Sequence, residues 1–322
     1  MLSRAPIFDQ EWWYEAATAG KWQQVDYSIG QNIQSKLIFS THRRRGITTI
    51  GMPRLARVMQ PVIDLGFISR KDTLADTIKV LSGLLKALPR FDRFSYTLPP
   101  ESRLDLAYSL AGYSVTANYT FRSDPSGSHD PWKAMDQKVR YNIKTGSKRM
   151  AVETHGDILR YVGMSRRFIK NRAFSNLIDY DAICRIWEAC RHREQASILT
   201  CVDGSGQDIA SAILIWDDVH LYYWLNCRDP ESNDYAANSV LIWNAIEVAR
   251  KAGLIFDMDG YANPTAGIFL SKFGLLPQRR FDISMTNSSA RLRTAFSSHL
   301  VEMVGPKLRL NLLAFKNRIN PV

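Results

Sequence analysis

Two apolar stretches separated by a polar loop decide the fold of this chain. The first is Leu221–Cys227 (LYYWLNC), whose aromatic and branched side chains predict a β-strand. The second is Ser239–Ile246 (SVLIWNAI), which predicts the start of a long helix after the loop 228–238. The start of a helix has unpaired N–H groups and a partial positive charge, so this place suits the diphosphate of a ligand. An ordinary strand-to-helix connection, capped by Asn238 or Ser239, fits the same spacing.

The residues around this strand and helix predict a domain that mixes both kinds of element. Three stretches of alternating polarity predict antiparallel strands, and the turn Asp203–Gly206 joins the first two of them. Helices precede these strands, and a strand, a short helix and a last strand follow the long helix. The predicted elements are, in chain order, the helix Trp132–Lys148, a short strand near Met150–Thr154, the helices Asp157–Lys170 and Asp179–Arg193, the strands Ala196–Val202, Asp208–Trp216 and His220–Cys227, the helix Ser239–Ala252, the strand Leu254–Met258, the helix Gly267–Phe273 and the strand Phe281–Met285.

The first half of the chain has a comparable order of strands and helices, which indicates a second domain of similar type. A chain of 322 residues is long enough for about two domains. The clearest linker is Arg122–Pro131 (RSDPSGSHDP), because it is rich in turn-forming residues. We therefore predict a mixed α/β (α+β) fold with domains at 1–125 and 132–322. The elements predicted in the first half are the strands Trp22–Ile29, Lys36–Ser40, Ile47–Gly51 and Phe91–Leu98, the helices Asp9–Ala17, Thr73–Leu88 and Glu101–Ala111, and a loop at His42–Gly46.

The chain is basic, with a formal net charge of +11 from 42 Lys and Arg against 31 Asp and Glu. Residues 133–172 carry eleven basic and three acidic side chains, and residues 291–322 carry six basic and one acidic. The remainder is nearly neutral, so the positive charge is confined to two patches. Such patches favour a polyanionic partner, which includes nucleic acid, anionic lipid, a nucleotide and an acyl-CoA. For the basic tail we predict a helix that packs on the core, with contact to a membrane surface or tRNA as the alternative.

Composition excludes several classes of protein. The chain has no uninterrupted apolar stretch of about 18 residues, so we expect no membrane insertion, and no apolar signal at the N-terminus. The four cysteines form no C-x-x-C pair, and none of the six histidines has the spacing of a zinc site. We therefore predict a reduced, cytoplasmic protein without disulfides and without a metal ion.

Three motifs follow one another in the second half of the chain. The first is the YYW of Tyr222–Trp224 with the following loop and helix; the second is Ile255–Gly260 (IFDMDG); the third is Gly267–Gly274 (GIFLSKFG). A basic helix, Lys138–Lys144 (KVRYNIK), precedes them. In this order and spacing they resemble the GNAT acyltransferase superfamily, and more closely its Fem-like branch, which has two GNAT domains in tandem. The resemblance implies two GNAT-like domains, each with a mixed, mostly antiparallel sheet flanked by helices.

Two departures from the family pattern bear on the acyl donor. The usual glycine-containing pyrophosphate loop is absent, since 233–239 (NDYAANS) contains no glycine. Leu270 stands at the first lysine position of the closing motif, and Lys272 follows two residues later. Fem-type enzymes that use aminoacyl-tRNA rely on that lysine, so its replacement favours an acyl-CoA as co-substrate, with no permanently bound cofactor.

The resemblance also implies which residues take part in acyl transfer. A carboxylate must accept the proton of the acceptor ammonium, and Asp259 is the first candidate and Asp257 the second. Either carboxylate is equally explained as the cap of a turn before Gly260. Tyr223 or Tyr222 would protonate the leaving thiolate, although tyrosines in strands commonly serve packing alone. The remaining candidates are Tyr222, Trp224, Ala237, Asn238 and Ser239 for the donor, and Arg140, Lys144 and Lys272 for the acceptor, unless the latter form a solvated basic face.

The predicted function is therefore transfer of an acyl group from an acyl-CoA to an amino group by direct attack. Among shorter relatives the chain looks most like N-acyltransferases that act on nucleotide-linked amino sugars for surface polysaccharide synthesis. One alternative is an aminoacyl-tRNA-dependent Fem-type transferase acting on a peptidoglycan precursor. A second alternative is a non-catalytic GNAT-like protein that binds nucleic acid or a membrane surface.

Overall fold

The computed structural model describes residues 6–28, 35–44, 46–63, 74–169, 178–232 and 234–287. The chain divides into two compact units. The first unit comprises Met1–Trp13 and Asn118–Arg279, and the second comprises Tyr14–Ala117 and Arg280–Val322. None of the helices formed by the described residues is long and apolar enough to cross a membrane. The predicted basic tail lies outside the described residues.

Nine helices and eleven strands are formed by the described residues. The helices are α1 Glu11–Thr18, α2 Leu74–Ala87, α3 Asp105–Leu110, α4 Pro131–Ala134, α5 Gln137–Gly146, α6 Ile158–Ile169, α7 Tyr180–Arg191, α8 Ala237–Ala252 and α9 Pro264–Leu270. The strands are β1 Gln23–Tyr27, β2 Ser35–Arg44, β3 Ile47–Gly51, β4 Arg93–Leu98, β5 Ser114–Arg122, β6 Met150–His155, β7 Ala196–Asp203, β8 Asp208–Trp216, β9 His220–Arg228, β10 Ile255–Asp257 and β11 Leu276–Thr286.

The strands of the first unit lie in the order β5-β10-β9-β8-β7-β6. Only β9 and β10 pair in parallel; the other neighbours are antiparallel. Helices α5 and α8 pack on the same core, because α5 buries Val139 and Ile143 and α8 buries Val240, Leu241 and Ala245. The apolar side chains of α8 recur at helical spacing, so one side of the helix covers this sheet.

The strands of the second unit lie in the order β1-β2-β3-β4-β11. Here β3 and β4 form the parallel pair, and the other pairs are antiparallel. Helix α2 connects the two parallel strands and buries Val80, Leu81 and Leu84. Each unit is therefore a mostly antiparallel sheet with one parallel pair joined through a helix, which confirms the predicted fold class.

The opening segment of the chain belongs to the first unit, although it was predicted in the first domain together with 14–125. Its aromatic rings explain this, because Phe8 packs 4.8 Å from the ring of Tyr222 and Trp13 packs 5.5 Å from that of Trp224. In addition, the backbone N–H of Ile7 donates to Asp217 at 3.2 Å. The predicted linker Arg122–Pro131 also lies within the first unit, since β5 ends in it.

Three local predictions differ from the structure. The predicted loop at His42–Gly46 is partly strand, because the backbone of β2 stays paired with β3 as far as Arg44, although the side chains of residues 41–44 are exposed. The predicted helix Trp132–Lys148 is two helices, because extended backbone at Met135 precedes the side chain of Asp136, which caps α5 at the N–H groups of Lys138 and Val139. Strand β5 was not predicted, since its first residues are mostly exposed and its alternation is weak.

Candidate active site

The parallel strands β9 and β10 stay paired for three residues and then part. Their register joins His220, Leu221 and Tyr222 to Ile255–Asp257. On its other edge, β9 remains paired with β8 as far as Arg228. Strand β9 thus runs well beyond the end of β10. Because the two strands run in the same direction, the residues that follow β10 and the loop that follows β9 leave the sheet toward the same edge, and β9 reaches six residues further, from Tyr222 to Arg228.

Helix α8 begins at this edge without a side-chain cap. The residue before the helix is Ala236, and no side chain accepts a hydrogen bond from the first turn. Asn238 and Ser239, the predicted caps, instead lie inside the helix, where Ser239 is buried. Just before the helix, the carboxylate of Asp234 accepts from the N–H of Ala236 at 2.9 Å, and the carbonyl of Asp234 accepts from the N–H of Ala237 at 3.4 Å. A helix start of this kind attracts an anion.

Arginines border the loop that leads into α8, and each is held by a partner. The guanidinium of Arg149 makes a bidentate salt bridge with the carboxylate of Asp234, and the shortest distance, from Nη2 to Oδ2, is 2.9 Å. Arg228 lies over the ring of Tyr235, 4.9 Å from its centroid, and donates to the carbonyl of Ser232. The arginines therefore order the loop before any ligand arrives.

Asp257, the last residue of β10, is fully engaged inside the sheet. Its carboxylate accepts from Arg122 Nε at 2.5 Å, and both side chains are buried. It also accepts from the hydroxyl of Thr120 and from the backbone N–H of Asp259 at 2.7 Å. With these contacts Asp257 joins β5 to β10 and fixes the backbone that follows the strand.

Asp259 occupies a backbone conformation that is uncommon for a residue with a side chain. Its φ is +60°, in the left-handed region, and Gly260 follows with a φ of +82°. The turn is held from both sides, because Asp259 donates its N–H to Asp257 and Gly260 donates its N–H to Thr120 Oγ1 at 3.0 Å. Left-handed residues other than glycine concentrate at functional sites, where the surrounding contacts maintain them.

The two tyrosines of the YYW motif face opposite sides of the sheet. The ring of Tyr223 lies in the core under α8, 6.3 Å from the ring of Phe256, and burial raises its pKa well above the usual value. Tyr222 is on the other face. Burial raises the pKa of its phenol too, and the carboxylates of Asp257 and Asp259 add to the shift. The structure therefore brings Tyr222, and not Tyr223, to the predicted carboxylates.

The other predicted residues fall into two groups. Trp224 is buried against Trp13, so its side chain packs on the opening helix. The predicted acceptor residues gather around α4 and the start of α5. There, Arg140 donates to the carbonyls of Trp132 and Lys133, and the ammonium of Lys144 lies 5.9 Å from the centre of the Trp132 ring. Lys272 is exposed, and its carbonyl accepts from the N–H of Asp136.

The described residues include neither a cluster that could bind a metal ion nor a buried cysteine with a reactive thiol. No group of three or more His, Cys, Asp or Glu side chains there is arranged to hold a metal ion. Burial raises the pKa of Cys190, Cys201 and Cys227 to about 12 each, so these thiols stay protonated at neutral pH. A protonated thiol is a poor nucleophile.

Sequence reasoning missed Thr120 and Arg122, which hold the loop of Asp259 in place. The two residues alternate on β5 and point the same way, which is the pattern of a strand face. The weak apolar alternation at the start of β5 concealed the strand, and with it the partners of Asp257.

Comparisons with known proteins agree with this architecture. Residues 134–264 match the sequence profile of the acetyltransferase (GNAT) domain family. No curated protein sequence matches the chain. Among solved structures, FemX is similar at 12% identity with a TM-score of 0.61, over 86% of this chain and 91% of the other. L-PGS from Bacillus licheniformis is similar at 12% identity and a TM-score of 0.56, over 89% and 91%. A tandem GNAT protein from the clavulanic acid biosynthesis pathway has 11% identity and a TM-score of 0.51, over 83% and 84%.

These matches define the class of the domain at residues 134–264 and the fold of the chain. The second half of the chain carries a GNAT acyltransferase domain, and the chain as a whole has the tandem fold of Fem-like proteins. The predicted enzyme type, a GNAT-type N-acyltransferase, is confirmed at this level.

Proposed function

We propose that the chain transfers an acyl group from a CoA thioester to a primary amine at the edge where β9 and β10 part. The acceptor in this proposal is a nucleotide-linked amino sugar used in surface polysaccharide synthesis, and the reaction takes place in the cytoplasm. The observation that carries the proposal is the common edge of the uncapped start of α8 and the left-handed Asp259. The first suits an anionic donor and the second a proton acceptor.

The donor would lie along β9 with its diphosphate at the start of α8. The N–H groups of Ala237, Asn238 and Ser239 belong to the first turn of that helix, where they suit phosphate oxygens. The rings of Tyr222 and Trp224 are buried, so β9 would contact the donor through its backbone. A strand that extends beyond its neighbour suits an amide-containing chain such as pantetheine.

The reaction needs one base and benefits from one acid. The carboxylate of Asp259 takes a proton from the acceptor ammonium, directly or through a water, which frees the nitrogen lone pair. The nitrogen attacks the thioester carbonyl carbon, and the C–N bond forms as the carbonyl π pair moves to oxygen. When that pair returns, the C–S bond breaks and the thiolate takes a proton from the phenol of Tyr222. The nitrogen, which still carries one proton too many after the attack, gives that proton to the Tyr222 phenolate, so that a neutral amide and a neutral phenol remain. We prefer Tyr222 to Tyr223 because Tyr222 pairs with Asp257 in the register of β9 and β10, whereas Tyr223 lies in the core under α8.

The acceptor proposal relies on Arg140, Lys144 and Lys272. One terminal nitrogen of Arg140 is committed to backbone carbonyls, which leaves its other N–H groups for a diphosphate. Lys144 and Lys272 are exposed and can add positive charge. This group supports a nucleotide-linked acceptor through charge alone.

Release of free CoA thiol tests this proposal. The full chain is incubated with acetyl-CoA and a panel of nucleoside diphosphate amino sugars, and a thiol-reactive chromophore reports the CoA that is released. We expect release that depends on the amine, with a matching N-acetylated product by mass spectrometry. The protein without an amine is the control, since Cys184 is only partly buried and can react with the chromophore. No amine-dependent release with any acceptor, together with no binding of acetyl-CoA, would contradict the proposal.

One surface favours an aminoacyl-tRNA donor as the second candidate. The exposed residues of α5 and its end carry Lys138, Tyr141, Lys144 and Lys148, and the side chain of Tyr141 is 65% exposed. Lysines interleaved with an exposed aromatic ring suit an RNA backbone and its bases. Binding of tRNA that weakens steeply with salt, without binding of acetyl-CoA, would favour this candidate.

A further inference from the structure

A cavity opens in the first unit at the end of β10 that is opposite to Asp259. Its volume is about 590 Å³, which is within the range of small-ligand sites, about 300–1,000 Å³. One wall is the start of β10 with the end of α8, at Ile255 and Arg250. The other wall is the loop 123–130 that joins β5 to α4. Because Asp259 follows the far end of β10, this cavity is separate from the proposed acyltransfer site.

Two tryptophans form the aromatic part of the cavity. The rings of Trp132 and Trp243 lie 4.7 Å apart at 49° to each other, and both side chains are half-buried. The ammonium of Lys144 lies 5.9 Å from the centre of the Trp132 ring. This indole therefore already attracts a cation within the chain, as the negative face of an aromatic ring does.

The charged groups of the cavity are mostly acidic, in contrast to the basic stretch that follows it. Asp124, Asp130 and Glu247 line it together with the guanidinium of Arg250, which lies 2.7 Å from the carboxylate of Glu247. The ammonium of Lys133, outside the lining, is 3.9 Å from Asp130 and 85% exposed, so solvent screens this second pair. The hydroxyls of Ser126 and Ser128 lower the pKa of Asp124 far below its usual value, so this carboxylate is charged at any physiological pH.

The loop that carries Asp124 is shaped before a ligand binds. Asp124 accepts from the hydroxyls of Ser126 and Ser128, each at 2.6 Å, and from the N–H of His129 at 3.0 Å. The ring of His129 is 2.7 Å from the carbonyl of Gly274, which ties the loop to the end of the domain. A wall built this way loses little entropy on binding.

We infer that this cavity is a binding site for an organic ammonium ion with an aromatic or apolar body. The tryptophan rings and Ile255 accept the apolar body, and the ring faces attract the cation. The carboxylates add attraction and repel anions, so selection by charge is expected. The inference does not depend on the identity of the acyl donor.

Calorimetric titration of the full chain with benzyltrimethylammonium tests this inference. Benzyl alcohol and benzoate are the neutral and anionic probes with the same ring. We expect the cation to bind at least tenfold more tightly than either of them, with quenching of tryptophan fluorescence. Equal binding of all three probes, or no binding of the cation, would overturn the inference.

The double variant Asp130→Asn/Glu247→Gln tests whether the cation binds in this cavity. Asparagine keeps the cap that Asp130 gives to α4, so we expect the variant to fold, with circular dichroism as the check. The cation should bind about tenfold more weakly. The matched control is Glu188→Gln on α7, which removes another glutamate paired with an arginine three residues later. Unchanged binding in the double variant, or an equal loss in the control, would refute the site.

Discussion

The two units use the same arrangement of strands and helices but differ where their parallel strands end. In each, a helix joins the parallel pair: α2 between β3 and β4, and α8 between β9 and β10. Strand β10 is followed by Asp259 in the left-handed conformation, above a buried ion pair. Strand β4 is followed by Pro99-Pro100, and its Leu98 is buried. One fold is therefore present twice, and the residues that we propose for acyl transfer lie in one of the two copies.

The fold is the same in both units, so the fold alone does not account for the carboxylates at the end of β10. Both copies need a helix to return the chain to the start of a parallel strand, and that need accounts for α2 and α8 alike. This connection does not require Asp257 or Asp259, because a turn can form without their carboxylates. A buried carboxylate and a left-handed aspartate both cost stability, so their presence favours a functional reason. Substitutions in the two units can separate what the fold requires from what the site requires.

Asp259→Asn should reduce kcat by about a hundredfold to ten-thousandfold, the usual range for loss of a general base. The amide cannot accept the proton of the acceptor ammonium, whereas its size and its hydrogen bonds stay similar. Release of CoA thiol with an accepted amine measures the effect. Glu101→Gln is the matched control, since Glu101 follows the corresponding strand of the second unit and is exposed. Full activity of Asp259→Asn would remove this aspartate from the mechanism.

Arg122→Met should destabilise the first unit by about 3–5 kcal/mol, because it leaves the buried carboxylate of Asp257 without its cation. Urea unfolding measures the loss. In the second unit, Thr97→Val removes a half-buried hydrogen bond of 2.8 Å to Asp282, and we expect a loss of only about 1 kcal/mol. Similar losses for the two variants would mean that the ion pair contributes no more than an ordinary hydrogen bond.

Elements that depend on local sequence could be predicted, whereas the ion pair, which depends on a long-range contact, could not. The strands β7, β8 and β9 and the helix α8 were predicted within a few residues, because local periodicity and turn residues determine them. The pairing of Arg122 with Asp257 joins residues 135 positions apart, and local patterns carry no information on such a contact. Asp259 was found through the family motif, whereas its left-handed backbone depends on Thr120, on a strand that was not predicted.

Gly274→Ala should cost roughly 2–5 kcal/mol in stability, more than the same change at Gly112. Both glycines stand two residues before a strand, Gly274 before β11 and Gly112 before β5, and both have positive φ, +70° and +86°. A methyl group at Gly274 would lie 2.2 Å from the carbonyl oxygen of Pro131, whereas none at Gly112 would meet an atom within 4 Å. Gly112→Ala should therefore cost only the left-handed backbone, about 1–2 kcal/mol. Thermal unfolding of the two variants gives the comparison, and equal losses would show that α4 moves away freely.

Tyr222→Phe should lower kcat by about tenfold, the smallest effect of this series. A thiolate leaves readily without an acid, so loss of the phenol proton slows the last step less than loss of the base slows the first. Tyr223→Phe is the matched variant, because its ring is buried on the opposite face of β9 among apolar residues and away from the carboxylates. We expect its kcat to stay within a factor of two of the unchanged chain. The reverse result, with activity lost in Tyr223→Phe and kept in Tyr222→Phe, would place the acid on the α8 side of the sheet. The acyl donor would then have to reach that core, which is closed in this structure by Val240 and Leu241.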